Sequence, residues 1–327
     1  MFVKQLDHFS MLNESQQPLV SIGVASYNNS KYIIETLDSI NNQLYENIEI
    51  IIVDDCSKDD SLQVINNWLP LSKFPARLIA NKVNNGLTKV CNIIYKNLDP
   101  KTSFLAIIGS DDVMLPERIL NQVNLHFAHK NVAAVFSDML IINERGETIN
   151  SSYYSSISED YDSINKTLVQ ETNQKVESII NKNVIPAPSV LYNKTAVEKI
   201  GGWDESLNFE DWDFNLRLLR EGYNFIPSAD CLIKYRKLPH SLSGKPTSTS
   251  FESLLKFVSK HRNITPDIDK AIDNKIIECA HIIYQYGGKT SVKWLVQRFK
   301  LTRDLKTFAF LTCAFLKIPY STIQKFK

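Results

Sequence analysis

Short apolar runs alternate with amphipathic segments over the first third of the chain. These amphipathic segments have the periodicity of helices, and Pro116 suits the first turn of a further helix. This alternation of strand and helix predicts an α/β protein with a doubly wound, mostly parallel sheet. The predicted strands are Val20 to Ala25, Ile48 to Val53, the shorter Arg77 to Ala80, and Phe104 to Ile108, and the predicted helices are Lys31 to Gln43, Leu62 to Leu69 and about Thr88 to Asn97.

Each predicted strand ends in a polar turn. The carboxyl ends of parallel strands meet at one edge of the sheet, and ligands of such sheets bind outside that edge. We therefore expect the polar side chains of these turns to gather at a single site. They are Tyr27 after the first strand, Asp54 and Asp55 after the second, Asn85 and Gly86 after the third, and Asp111 and Asp112 after the fourth.

The adjacent acids Asp111 and Asp112 point to a metal. Two carboxylates side by side repel each other unless a positive charge accompanies them. Mg²⁺ and Mn²⁺ prefer carboxylate oxygen and leave positions open for water and substrate phosphate. The alternative is that Ser110 and Asp111 only cap the next helix.

The same edge could hold a nucleotide without a glycine-rich loop. Neither G-x-G-x-x-G nor G-x-x-x-x-G-K-[ST] follows any predicted strand. Tyr27 could cover a base, and Asp54 or Asp55 could accept a hydrogen bond from a base or ribose. An acidic rim repels a diphosphate unless a metal bridges the two, so the metal and nucleotide hypotheses support each other.

Taken in order and spacing, several short motifs resemble the family 2 glycosyltransferases. These enzymes have the GT-A fold, use nucleotide-sugar donors and build bacterial surface polysaccharides and glycans. The resemblance extends from about Pro18 to Ser243 and does not include the C-terminal tail. It is carried by Pro18–Ile22 with Tyr27 and Asn28, Ile52–Ser57 with Asp59 and Ser61, Asn85–Leu87 with Asn92, Ser110–Asp112, Gly201–Glu205, and Glu210–Phe214 with Arg217 and Gly222.

The resemblance implies roles for these positions. Uridine would be held by the Ser26–Asn28 turn with Asp54 and Asp55, and bordered by Asn85, Gly86 and Ser110, and a diphosphate-binding Mn²⁺ or Mg²⁺ by Asp111 or Asp112. The chain departs from the commonest family pattern, D-x-D-D, because Gly109 stands where the first aspartate usually lies. Donor contacts are therefore expected to differ there, with Asp111 aligned to the usual metal ligand.

A second acidic motif lies at the start of a predicted helix. Taken alone, Glu210, Asp211 and Asp213 could simply favour the positive end of the helix dipole. The resemblance instead implies that Asp211 is the general base of an inverting transfer, with Glu210 orienting acceptor or donor. It also implies a basic loop over the diphosphate, in which His240 is a candidate metal ligand and Arg236 and Lys245 are candidate phosphate contacts. A solvated basic loop is the alternative.

Composition limits the other classes. The 327 residues carry a formal charge of +1, which gives no reason to expect nucleic acid as the partner. Five scattered cysteines without a C-x-x-C pair favour a reducing compartment, and the polar N-terminus does not resemble a signal peptide or anchor. We therefore expect a cytoplasmic protein with an N-terminal tail (1–17), a catalytic domain (18–245) and a helical extension (246–327).

The helical extension is basic. From Gly287 onward it has nine Lys or Arg against one acid, Asp304, interspersed with aromatic residues. Such a surface could contact an anionic membrane at the inner face of the plasma membrane, if the acceptor is lipid-linked. The alternatives are a cap on the catalytic domain and a dimer contact.

Between Asn150 and Asn183 we expect a polar surface insertion with one short helix near Val176 to Asn181.

The sequence thus predicts a metal-dependent, inverting glycosyltransferase that moves a hexosyl or N-acetylhexosaminyl group from a nucleotide sugar, a UDP-sugar in particular. The acceptor is a hydroxyl of a glycan or lipid-linked glycan. The alternative in another class is a non-catalytic sugar-nucleotide-binding or scaffold protein, for which Gly109 is the sequence hint. A nucleotidyltransferase is disfavoured because no glycine-rich, basic triphosphate loop lies near the first strand.

Overall fold

The computed structural model describes residues 17–207, 211–238 and 248–285, and within 292–318 the residues 292, 295–296, 299–300, 303, 305–316 and 318. The chain divides into two compact units. The first comprises Met1–Thr172, Val184–Glu205 and Glu210–Pro239. The second comprises Asn173–Asn183, Ser206–Phe209 and His240–Lys327.

The first unit is a sheet flanked by helices. Its strands are β1 (Leu19–Ser26), β2 (Ile48–Asp54), β3 (Ala76–Ala80), β4 (Thr102–Gly109), β5 (Val113–Met114), β6 (Val132–Ile142), β7 (Thr148–Asn150), β8 (Leu191–Asn193) and β9 (Asn224–Arg236). Its helices are α1 (Ile33–Asn41), α2 (Ser61–Trp68), α3 (Leu87–Lys96), α4 (Arg118–Ala128), α5 (Tyr153–Ser156), α6 (Tyr161–Leu168), α8 (Lys194–Ile200) and α9 (Asp211–Arg220).

The strands form one sheet in the order β3-β2-β1-β4-β8-β6-β9-β5, with β7 paired to β6. The four strands predicted from the apolar runs are parallel neighbours, and β8 pairs antiparallel with both β4 and β6. Ser26 pairs with Asp54, and Ala25 with Gly109, so the carboxyl ends of β1, β2 and β4 meet at one edge. The predicted mostly parallel α/β sheet is confirmed.

Continuous apolar runs form β1, β2 and β4 because helices cover both faces of this part of the sheet. Val20, Ile22 and Val24 have no exposed surface and belong to the main hydrophobic cluster. Gly23, on the other face of β1, allows α3 to approach: a Cβ there would lie 2.5 Å from a methyl carbon of Ile94.

One expectation about the middle of the chain is only partly right. The polar segment from Asn150 to Asn183 forms three helices, α5, α6 and α7 (Thr172–Asn181), of which only α7, around the predicted helix near Val176 to Asn181, was expected. Asp160 starts α6 with a reciprocal capping box to Ser163, and Ile164 and Leu168 are buried beneath it. The segment from Pro186 to Val190, which leads back to the sheet, contains a short 3₁₀ turn, Ala187–Ser189.

The second unit is helical in its described residues. It contains α7, α10 (Ser248–Lys260), α11 (Pro266–Gln285) and α12 (Leu305–Phe315). Phe257, Val258, Ile268 and Ile272 are buried, and Leu295, Phe310 and Leu311 form a further apolar cluster. A helical C-terminal region was predicted from the periodicity of the tail, and the described residues agree with it.

Candidate active site

The turn after β1 is joined to the turn after β2 by the fully buried carboxylate of Asp54. Its Oδ2 accepts hydrogen bonds from the hydroxyls of Ser26 (3.2 Å) and Ser57 (2.6 Å), and its Oδ1 accepts from the Ser57 N–H (2.9 Å). Asn28 adds two bonds, since its N–H donates to Ser57 Oγ and its Oδ1 accepts from the Lys58 N–H. Asp54 therefore shapes both turns.

Asp55 holds the loop that follows β3. Its carboxylate accepts from Asn81 Nδ2 (2.9 Å), from the Asn85 N–H (2.9 Å to each oxygen) and from the Gly86 N–H (2.8 Å). Gly86 has φ +84°, a conformation in which a side chain would be strained. The loop at Asn85 and Gly86 is thus fixed beside the end of β2 by one nearly buried acid.

The turn after β4 is tied to the turn after β1 as well. The Ser110 N–H donates to the carbonyl of Ala25 (3.1 Å), and Ser110 Oγ accepts from Asn29 Nδ2 (2.8 Å). Tyr27 is 46 % exposed at the rim of this edge. The predicted nucleotide-binding residues from all four strand ends therefore lie together, as the topology requires.

Asp111 and Asp112 form a turn directly after β4, and Gly109 makes room for both side chains. A Cβ at Gly109 would lie 3.0 Å from Asp111 Oδ1 and 3.4 Å from Asp112 Oδ2. Both carboxylates therefore lie near the same point, and a side chain at position 109 would make one tight contact with the end of the Asp111 side chain and one ordinary contact with Asp112.

The charged forms of these two carboxyl groups are disfavoured. Burial raises the pKa of Asp111, and the pKa of Asp112 is raised well above its usual range by burial and then by the negative charge of Asp111. The positive charges of Arg236 and Arg118 act in the opposite direction on Asp112. A cation bound by the pair would relieve the remaining repulsion.

The residues present fit a divalent cation at this turn. Asp112 Oδ1 already accepts from the Arg236 N–H (2.9 Å), whereas Asp112 Oδ2 and Asp111 Oδ1 both lie beside Gly109. Within the described residues no cluster of three His, Cys, Asp or Glu forms a closed cage. Two carboxylates with the other positions left to water and phosphate are typical of Mg²⁺ sites. The predicted ligand His240 lies outside the described residues.

Arg236 does not have the environment of a phosphate contact. Its side chain is 1 % exposed; Nε donates to the carbonyl of Asp111 (2.9 Å), Nη1 to that of Asn143 (3.1 Å), and Nη2 to the carboxylate of Glu35. The expectation that Arg236 meets phosphate oxygens is therefore wrong, because its donors are turned into the protein. Lys245, the other predicted phosphate contact, lies outside the described residues.

Arg118 is a second buried guanidinium near the acid turn. It has no exposed surface, and burial lowers its pKa to about 9. Nε donates to Gln122 Oε1 (3.2 Å) and Nη2 to the carbonyl of Val190 (3.3 Å), while Nη1 has no hydrogen-bond partner among the described residues. Its charge partner is Asp112, whose negative charge raises the pKa of Arg118.

The Gly201–Glu205 motif locks α9 against α3. Asn92 of α3 accepts from the Trp203 N–H and donates to the Trp203 carbonyl, both at 2.9 Å, and Trp203 stacks on Phe214 of α9 with ring centroids 4.1 Å apart. Gly202 has φ +83° and lies so close to Asn92 that a Cβ would be 2.7 Å from its Oδ1. The motif thus fixes where α9 lies in the first unit.

Asp211 is the first residue of α9 and is half-buried. Asp213, one residue beyond Trp212, is buried and pairs with Arg217 (Oδ2 to Nε, 2.8 Å). Burial raises the pKa of Tyr153, and the negative charge of Asp211 contributes to the rise. Glu210, the predicted partner of Asp211, lies outside the described residues.

Several residues of this region were not predicted. Thr36 Oγ1 donates to the Asp112 carbonyl (2.7 Å), and Ser39 Oγ accepts from the Met114 N–H (3.0 Å), so α1 supports the acid turn. Threonine and serine inside an amphipathic helix give no sequence signal for such a role. No sequence signal pointed to the buried position of Arg118 either, because a charged residue in the first turn of a helix is usually exposed.

Comparison with known proteins agrees with the fold and the motifs. The family model described as glycosyl transferase family 2 matches residues 21–201, and the chain belongs to this family. It is an enzyme of the glycosyltransferase class with the GT-A fold.

Individual relatives are distant. The O-antigen biosynthesis glycosyltransferase WbnJ of Escherichia coli is 27 % identical over 220 residues, which are 67 % of this chain and 79 % of WbnJ. S. aureus TarS has a TM-score of 0.61 at 18 % identity over 92 % of this chain, but this chain spans only 53 % of TarS. The mannosyltransferase PcManGT from Pyrobaculum calidifontis, solved with GDP-Man and Mn²⁺, has a TM-score of 0.57 at 16 % identity and 96 % and 85 % coverage.

Proposed function

We propose that this glycosyltransferase moves a sugar from a UDP-sugar to a hydroxyl of a glycan or lipid-linked glycan, with inversion and with Mn²⁺ or Mg²⁺ bound. The observation that carries the proposal is the paired carboxylate turn of Asp111 and Asp112 at the same edge as the hydrogen-bonded turns of β1, β2 and β3. A nucleotide diphosphate needs both parts, a surface for the nucleoside and a counter-charge for the phosphates.

The proposed nucleoside site is the edge formed by the Ser26–Asn28 turn and the loop at Asn85 and Gly86. Asp54 and Asp55 contribute chiefly by holding these segments, since most of their acceptor positions are taken by protein donors. Tyr27, with nearly half its surface exposed, is the side chain available to cover a base. A solved form of S. aureus TarS binds UDP-GlcNAc, and PcManGT was solved with GDP-Man, so UDP is the part of this proposal that most needs a test.

The acid pair would hold the cation through Asp111 and through the oxygen of Asp112 that faces it. When bound there, a divalent cation offsets the negative charge that develops on a leaving diphosphate. Asp111 is the better first ligand, because one oxygen of Asp112 is already engaged by the Arg236 N–H.

Asp211 is the proposed general base. A single inverting displacement requires a carboxylate that takes the proton of the acceptor hydroxyl while the sugar carbon is attacked. Asp211 is half-buried at the start of α9, and it is the acid of the family motif to which the resemblance assigns the base. Glu210 is proposed to orient the acceptor or the donor sugar, as the family motif implies.

The test is calorimetric titration of UDP, with GDP and CDP as controls, in Mn²⁺ and then in EDTA. We expect UDP to bind most tightly and to lose affinity in EDTA. Asp111→Ala should remove the Mn²⁺ dependence, and Asp162→Ala, an exposed acid on α6, is the control that should not. Tighter binding of GDP would refute the choice of donor nucleotide, and unchanged metal dependence in Asp111→Ala would move the metal elsewhere.

We also propose peripheral contact with an anionic membrane through α12. Leu305 and Phe308 of this helix and Leu316, directly after it, are 87 %, 52 % and 67 % exposed, while Phe310 and Leu311 of the helix are buried in the second unit. The stretch from Gly287 onward carries a charge of +8. An apolar outer face in a basic segment suits anionic lipid. In the described residues no helix has the length and apolarity to cross a bilayer.

Vesicle flotation tests this contact. Wild-type protein should float with vesicles that contain phosphatidylserine and not with pure phosphatidylcholine, and the Phe308→Ser, Leu316→Ser double variant should stay at the bottom. Leu71→Ser, which changes an equally exposed leucine of the first unit, should float as the wild type does. Concentration-dependent dimerisation that the double variant abolishes, without vesicle binding, would show instead that α12 contacts a second copy.

A further inference from the structure

The strand pairing of β9 brings its last residue to the acid turn. Ile142 of β6 pairs with Arg236, and Val113, directly after the acids, pairs with Lys234. Arg236 is therefore 124 residues away from Asp112 in sequence but adjacent to it in the sheet. This contact is set by topology and does not depend on a local motif.

Arg236 contacts the acid turn through two separate groups. Its backbone N–H donates to Asp112 Oδ1 (2.9 Å), and its Nε donates to the Asp111 carbonyl (2.9 Å). On its other side, Nη1 donates to the carbonyls of Asn143 (3.1 Å) and Glu144 (3.5 Å) in the turn between β6 and β7. The guanidinium thus fastens the acid turn to the end of β6.

The same guanidinium also reaches α1. Nη2 pairs with the Glu35 carboxylate, and the guanidinium carbon lies 4.8 Å from the centre of the Tyr32 ring. Glu35 is 51 % exposed, whereas Arg236 is 1 % exposed. The next residue of α1, Thr36, donates to the Asp112 carbonyl. The start of α1, the acid turn and the end of β9 therefore meet around one buried cation.

We propose that Arg236 is a positioning residue for cation binding: it fixes the backbone at Asp111 and Asp112 so that their carboxylates stay directed at a common point. This inference rests on the proposed metal-dependent donor site. A lysine could supply the charge, but its three donors lie on a single nitrogen, whereas Arg236 places Nε, Nη1 and Nη2 on three separate acceptors. The identity of the side chain, and not only its charge, is therefore required.

The experiment measures the affinity of UDP in Mn²⁺ relative to EDTA for each variant, together with direct Mn²⁺ binding by electron paramagnetic resonance. Arg236→Gln and Arg236→Lys should each lower the ratio of the two affinities by about tenfold, the size expected for losing a charged hydrogen bond. UDP affinity in EDTA should stay within about twofold of the wild-type affinity, a difference no larger than the usual deviation between independent sites. A merely structural role would weaken UDP binding equally in both conditions.

Two further variants keep the inference testable if the Arg236 variants fail to fold. Glu35→Ala removes only the exposed partner and should lower the ratio by about two- to fivefold. Arg77→Lys changes an arginine that pairs with Glu49 (2.9 Å) at the opposite end of β2 and β3, and should leave the ratio unchanged.

The outcomes separate this inference from the proposed function. A wild-type ratio near one, with no Mn²⁺ bound, would contradict the metal-dependent donor site and this inference with it. If the wild-type ratio is large and stays unchanged in Arg236→Gln and in Glu35→Ala, the positioning role alone is overturned. If the ratio falls in Arg236→Gln but not in Arg236→Lys, charge is sufficient and the requirement for arginine is overturned.

Discussion

Replacing Asp111 by asparagine should stabilise the metal-free protein. The facing oxygens of Asp111 and Asp112 lie 3.0 and 3.4 Å from one point above Gly109. They are therefore at most about 6 Å apart, and two unit charges at that distance repel by about 3 kcal/mol at an effective dielectric constant of about 20. The nearby guanidinium groups of Arg236 and Arg118 offset part of this repulsion.

We expect Asp111→Asn to gain about 1–2 kcal/mol in the free energy of unfolding without metal, since asparagine removes the charge and can donate to the facing carboxylate. For a unit of this size the gain corresponds to a rise in Tm of roughly 2–8 °C. Asp59→Asn is the contrasting control: Asp59 accepts from the N–H groups of Ser30 and Ser61 and from the Ser61 hydroxyl, so that variant should lose stability.

The stability gained in Asp111→Asn should depend on pH. Both carboxyl pKa values are raised in the folded protein, so the protonated pair is favoured there, and this stabilisation is lost as the pH rises through the raised values. The Tm advantage of Asp111→Asn should be largest at and above neutral pH. It should shrink as the pH falls toward the usual carboxyl range, where both acids of the wild type become protonated.

Differential scanning fluorimetry with and without Mn²⁺ measures both effects. Mn²⁺ should raise the Tm of the wild type, because a ligand that binds the folded state stabilises it, and should raise the Tm of Asp111→Asn much less. A variant that is less stable than wild type without metal, yet gains as much from Mn²⁺, would refute the argument that the two acids repel each other and share a cation.

Three further predictions concern other parts of the site. Asp211→Asn should abolish sugar transfer but leave UDP affinity unchanged in calorimetry; retained transfer would refute its role as base. Cys56, partly exposed after β2, should react with iodoacetamide more slowly when UDP is bound, with Cys56→Ser identifying the labelled peptide by mass spectrometry. Gly202→Ala should lower stability by about 1–3 kcal/mol in urea unfolding, because φ is +83° and the new methyl would meet Asn92; an unchanged midpoint would contradict this.

The parallel half of the sheet could be predicted because its strands are continuous apolar runs that end in polar turns. That pattern determines both the class of the fold and which edge carries the polar residues. The pattern could not reveal that most hydrogen-bond acceptor positions of Asp54 and Asp55 are occupied by donors of the protein itself. Several of these donors lie 26 to 31 residues away, and their positions depend on the conformation of the loops.

The support of the acid turn could not be predicted for a related reason. Arg236 stands in a polar, basic stretch that suggests a solvent-exposed loop, and only the pairing of β9 with β6 and β5 shows that it is buried. The helices α5 and α6 were missed because their composition is polar. Their apolar residues, such as Tyr154 and Ile164, are few but buried.

The most direct test of the proposed function is the release of nucleotide from a panel of UDP-sugars and GDP-sugars, measured with purified protein in Mn²⁺ and in EDTA. We predict slow, Mn²⁺-dependent hydrolysis of at least one UDP-sugar, accelerated by a suitable glycan acceptor and lost in Asp111→Ala. Release of nucleotide only from GDP-sugars, or at the same rate in EDTA and in Asp111→Ala, would contradict it.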